Sequence, residues 1–140
     1  MSIATYIGLN FPVKLPEDYI EDKIEIEYVF SEEEHRQAVK EKHFTVPHIY
    51  EISVTEHAIW EMNEYQKIRS PHSYEKAQKT FLSVCLLLKE LLPAGDFCEI
   101  YICWLGDEKE EHEKELTINL NDLQIEALDI HENCFIRIEN

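Results

Sequence analysis

Ile3, Thr5, Ile7 and Leu9 alternate with Ala4, Tyr6, Gly8 and Asn10. That period of two predicts a first strand over Ile3–Asn10. After a turn region bracketed by Pro12 and Pro16, Ile24, Ile26, Tyr28 and Phe30 alternate with Glu25 and Glu27, predicting a second strand with one wet face. Tyr50, Ile52 and Val54 share one side of a third, His48–Val54. Phe97–Leu105 is apolar on both sides, with Cys98, Ile100, Ile102 and Trp104 on one and Phe97, Tyr101, Cys103 and Leu105 on the other. Such a strand belongs in the middle of a sheet. Leu116, Ile118 and Leu120 open a return strand, and Asp129–Asn133 reads as a turn between Ile125–Ile130 and Cys134–Ile138. The C-terminal third is therefore expected to be an antiparallel meander.

Two helices interrupt this pattern. Ser31 followed by Glu34 is a capping-box signature, with acids filling the first turn of a helix over about 32–42. The second helix is capped by Ser73, runs to Leu92 and is stopped by Pro93, Ala94 and Gly95. Its second half is apolar nearly all round, which predicts a buried helix lying across one face of the sheet. Thr55–Arg69 is ambiguous. Ala58, Trp60 and Met62 fit a strand, whereas Ala58, Met62 and Tyr65 fit a helix; the segment stays open, leaning to a strand that ends near Tyr65. The expected fold is one α+β domain over residues 1–140, a mixed or antiparallel sheet with a long buried helix (about 73–92) and a shorter capped one (about 32–42).

Charge narrows the choice of partners. Acids number 29 against 13 bases, for a net charge of −16. Residues 1–70 carry 14 acids and 7 bases, and residues 71–140 carry 15 and 6, so the excess is no acidic tail on a neutral body. Such a surface repels nucleic acid and anionic membranes and attracts basic proteins. The plainest role of the charge is solubility. Met1–Asn10 lacks the basic start and long apolar run of a secretory signal, and Phe81–Leu92 is too short to span a bilayer. The expected setting is cytoplasmic, with all four cysteines as free thiols in the core.

The residue pattern carries no cofactor fingerprint. With glycine only at positions 8, 95 and 106, there is no phosphate-binding loop, dinucleotide fingerprint or nucleophile elbow. Cys98 and Cys103 point to opposite sides of one strand, and the histidines show no metal-binding spacing, so no metal site is expected. His43 and His48 flank a helix-to-strand turn and could approach each other, His112 reads as part of a solvated loop, and Cys103 could in principle join a Cys–His dyad.

The remaining feature is the Gly106–Lys114 loop. Asp107, Glu108, Glu110, Glu111 and Glu113, with Glu115 just beyond and Trp104 just before, combine steering charge with an aromatic anchor. Runs of this kind are also common as solvated faces. Trp60, Tyr65 and Tyr74, flanked by Lys67, Arg69, Lys76 and Lys79, form a second aromatic group, at least half of it expected to be ordinary core or boundary residues. The function expected is a protein-binding module that neutralises or regulates a basic partner, for example an immunity- or antitoxin-type inhibitor of a cationic nuclease toxin. Trp104, Asp107, Glu108, Glu110, Glu111 and Glu113 are its candidate contacts. The alternatives are a hydrolase-like enzyme with a cryptic His/carboxylate site and a scaffold subunit.

Overall fold

The alternating segments assemble into one sheet. A computed structural model describes residues 2–17, 24–53 and 59–140. Its six strands are β1 (Ile3–Leu9), β2 (Glu25–Glu27), β3 (His48–Ser53), β4 (Phe97–Trp104), β5 (Lys114–Asn119) and β6 (Cys134–Glu139), in the order β2-β3-β1-β4-β6-β5. Among the described residues three helices accompany them: α1 (Glu33–Lys42), α2 (Glu64–Arg69) and α3 (Pro71–Leu91). The fold is α+β with a mixed sheet. β4 lies between β1 and β6, as its two apolar sides require.

Four elements depart from the sequence reading. β2 is only three residues long, because the backbone of Val29, Phe30 and Ser31 turns away to donate to the Glu51 carboxylate. The N-cap of α1 is Glu32 rather than Ser31. Its N–H donates to His35 Nδ1 at 3.0 Å, while the Ser31 hydroxyl donates to Glu51. Pro71 occupies the first turn of α3, so this helix starts at Ser70–Pro71 rather than at Ser73. The fourth departure is residues 59–69, a 3-10 turn (Ile59–Glu61) followed by α2, not a strand. Asn63 decides this: its Oδ1 caps Gln66 N–H at 3.0 Å, and its Nδ2 donates to the Trp60 and Ile130 carbonyls. Val54 and residues 55–58 lie outside the described residues.

The C-terminal meander is also corrected. β6 inserts between β4 and β5 and pairs with β5 in parallel. Parallel neighbours cannot be joined by a hairpin. The chain between them instead carries a 3-10 turn at Ile125–Ala127 and packs Leu123, Ile125 and Leu128 against the main core. Ile130 N–H bonds the Met62 carbonyl at 2.8 Å, which ties this crossover to the helical layer.

The main core lies between the sheet and α3. Tyr74, Ala77, Phe81, Val84, Cys85 and Leu88, at spacings of three and four, meet Ile7, Leu9, Ile100, Ile102, Ile136 and Ile138. The outer side of α3 is not covered: Leu82 and Leu86 are exposed, Leu86 by 67%. A smaller cluster on the opposite face joins Ala4, Tyr6, Tyr101 and Cys103 to Val39 of α1 and to Phe44.

Gly8 sets the entry to that second face. A Cβ there would stand 2.6 Å from Val46 Cγ2 and 2.9 Å from Phe44 Cδ2. Val46 is buried and β-branched, so it yields little. Gly8→Ala is expected to cost about 1–3 kcal/mol by overpacking, read as a lowered urea midpoint with an unchanged slope.

Candidate functional site

Strand register places a row of side chains across the α1 face. Glu27 of β2 pairs with Glu51, Glu51 with Tyr6, Tyr6 with Tyr101, Tyr101 with Phe135 and Phe135 with Glu115. Carboxylates stand toward the edges and aromatic rings in the middle. A second row runs from Gly8 to Glu99 to Arg137. Glu51, Glu99 and, from the β4–β5 loop, Glu108 are each almost wholly buried.

Buried carboxylates are tolerated only when hydrogen-bonded, and each of these three organises one connection. Glu51 accepts from the N–H groups of Val29 (3.1 Å), Phe30 (3.2 Å) and Ser31 (2.8 Å), and from the Ser31 hydroxyl. Arg36 Nη1 reinforces that turn by donating to the Ser31 carbonyl (2.7 Å) and hydroxyl (2.9 Å), with its guanidinium over the Tyr28 ring. Glu99 accepts from Thr45 N–H (2.7 Å), Thr45 Oγ1 (2.9 Å) and Val46 N–H (3.2 Å), fixing the α1–β3 connection. Glu108 folds back on its own loop, accepting from Gly106 N–H at 3.0 and 2.8 Å and from the Cys103 thiol at 3.8 Å.

His43, at the C-terminus of α1, ties the loop to the helix. Its ring stacks on Tyr101 at 3.8 Å, its Nε2 meets the Glu108 carbonyl at 2.9 Å, and its Nδ1 lies 3.2 Å from His112 Nδ1. His112 Nε2 is 2.7 Å from Glu115, and its ring stacks on Phe135. Lys42 pairs with Glu111 beside them. His43 thus pairs with His112, not with His48 as the turn had suggested.

The candidate contacts separate. Glu110, Glu111 and Glu113 are exposed and Asp107 is partly so. Glu113 N–H bonds the Asn133 carbonyl at 2.8 Å. Among the described residues Glu110 and Glu113 make no ion pair, while Lys114 is engaged by the Asp129 carboxylate and carbonyl. Glu108 is not a surface residue, because its carboxylate is turned inward. Trp104 is half-buried and shares its side of β4 with Cys98, Ile100 and Ile102, facing away from the loop acids. Of the second aromatic group, Tyr74 is core, Trp60 packs partly buried against it, and Tyr65 is exposed beside Arg69.

Burial raises the Cys103 thiol well above its ordinary range, with Glu108 and Asp107 adding to the shift, which opposes thiolate chemistry. Burial, Glu108 and Cys103 raise the Tyr6 phenol in the same way, and its hydroxyl has no hydrogen-bond partner among the described residues. The histidine shifts differently: burial lowers His43, against a smaller opposing effect of the Glu108 carbonyl. Among the described residues no three His, Cys, Asp or Glu side chains are arranged to hold a metal, and no helix is long and apolar enough to cross a membrane.

The chain matches no protein-family model, no curated protein and no solved structure.

The sequence reading overlooked Glu51 and Glu99. Their signal was present: an acid set inside a strand whose neighbours are otherwise apolar, as in Tyr50-Glu51-Ile52 and Cys98-Glu99-Ile100. The His43–His112 contact, 69 residues apart, had none. Glu51→Ala leaves three backbone donors and the Ser31 hydroxyl without their acceptor and should cost at least about 3 kcal/mol, whereas Glu51→Gln, which keeps one oxygen, should cost less. Chemical denaturation of both variants measures the difference.

Proposed function

We propose that this chain is a protein-binding module that neutralises or regulates a basic partner, in the manner of an immunity- or antitoxin-type inhibitor of a cationic nuclease toxin. The observation that carries the reading is the display of Glu110, Glu111 and Glu113 on a loop fixed from beneath by Glu108, His43 and Asn133. A charged loop held in place loses little freedom on binding, so more of its attraction reaches the affinity. The net charge of −16 steers a basic partner from a distance, and the exposed acids set where it lands. Asp107 belongs at the rim of this surface, while Glu108 acts through loop shape rather than contact.

The reading also expects a cytoplasmic setting, where Cys85, Cys98, Cys103 and Cys134, all buried and free, stay reduced. Capture from source-cell lysate at low salt, eluted with rising salt, tests the reading. Wild type should retain one basic protein stoichiometrically. Glu110→Lys with Glu113→Lys should weaken that retention by about tenfold or more. Glu75→Lys with Glu90→Lys, an equal charge change on the exposed side of α3, should leave it nearly intact. Equal losses in the two variants would mean that only net charge matters.

A further inference from the structure

We infer that His43 and His112 form a pH-operated latch, closed only when the two rings share three protons, that holds the acidic loop against α1. The hydrogen-bond partners of the two rings fix how many protons they hold. The Glu108 carbonyl can only accept, so His43 Nε2 must carry a proton. The Glu115 carboxylate likewise accepts, so His112 Nε2 must carry one. The two Nδ1 atoms, 3.2 Å apart, then need one proton between them. With none, two lone pairs face each other. With two, two N–H groups collide and two imidazolium rings repel.

The surroundings oppose a second charge on His43. His43 is buried against Tyr101, with Lys42 on its own helix end, and burial opposes a charge there. His112 is more open and holds Glu115 of β5, while Phe135 of β6 stacks on its ring and Glu111 lies near both histidines. Lys42 adds positive charge against a fourth proton, and it lines a shallow depression of about 290 Å³ with Ala38, Glu41 and Lys109.

Two limits follow. Raising the pH removes the shared proton and parts the Nδ1 atoms. Lowering it protonates His43, whose folded value lies below its ordinary one of about 6.5. The released form then binds more protons than the latched form, so the latch weakens as pH falls below that range. The two rings titrate as a pair, and loop order is bell-shaped in pH. That this order governs partner binding rests on the function proposed above, but the latch itself is readable in the free protein.

The test is ring-nitrogen NMR of the free chain from about pH 4.5 to about pH 8.5, with backbone order parameters for Glu108–His112. The latch requires order near the rigid value of about 0.85 at mid-range, falling at both ends. His112→Asn, whose amide N–H stands near the Nδ1 position and does not titrate, should keep the loop ordered at the upper end. His112→Phe, which retains only the stack on Phe135, should loosen it throughout. Order parameters flat across the range, independent titration of the two rings, or a loop unmoved in His112→Phe would each overturn the latch. None of these readouts depends on a partner being found.

Discussion

The α1 side of this protein depends on carboxylates buried beneath backbone amides. Glu51, Glu99 and Glu108 enter a thinner face of the sheet, and each accepts from the backbone of a connection: Glu51 and Glu99 from several N–H groups, Glu108 from Gly106 N–H alone. The two requirements satisfy each other. An irregular connection must find partners for its N–H groups, and a buried carboxylate must find donors. Charge-assisted bonds of this kind are about twice as strong as neutral ones. The result is a set of loops fixed in place by hydrogen bonds to buried carboxylates.

The two faces of the sheet therefore hold together differently. The α3 side is a packed apolar layer in which Phe81, Leu88, Ile100 and Ile136 are fully buried, and it carries most of the hydrophobic stabilisation. The α1 side is thinner and more polar, with Tyr6, Tyr101 and Phe135 standing between Glu51 and Glu115 across the strand register. A helix laid over such a face is positioned by hydrogen bonds more than by area. That is why His43, at the end of α1, can reach the β4–β5 loop and couple it to the helix.

The sequence pattern made most of the sheet legible. The period of two identified β1, β3 and β4, and the doubly apolar run at 97–105 located the central strand, because a strand's environment is written in its own side chains. It failed where a distant group decides the local structure. β2 stops early because Glu51, from β3, takes the amides that would have continued it. α2 forms in the segment that periodicity left open between strand and helix, because Asn63 and Asp129 supply its first hydrogen bonds, the latter from 65 residues away. The parallel pairing of β5 with β6 is invisible to periodicity, which is the same for either direction. In the candidate surface, the exposed acids at 110, 111 and 113 were correctly placed in a loop. Glu108, identical in type and only two residues away, was not separable from them without knowing where Gly106 N–H points.

Electrostatic display is the consequence of this scaffold. Three acids are drawn inward to hold the connections, and the acids left outside them stand on a backbone that the inner ones have fixed. The most direct measurement of this account is amide hydrogen exchange at Val29, Phe30, Ser31, Thr45, Val46 and Gly106 in the native protein. Burial against carboxylates predicts protection at all six, comparable to the strands despite their place in irregular connections. Exchange at the rate of an unstructured chain at these positions, with the strands protected, would show that the carboxylates do not hold the connections.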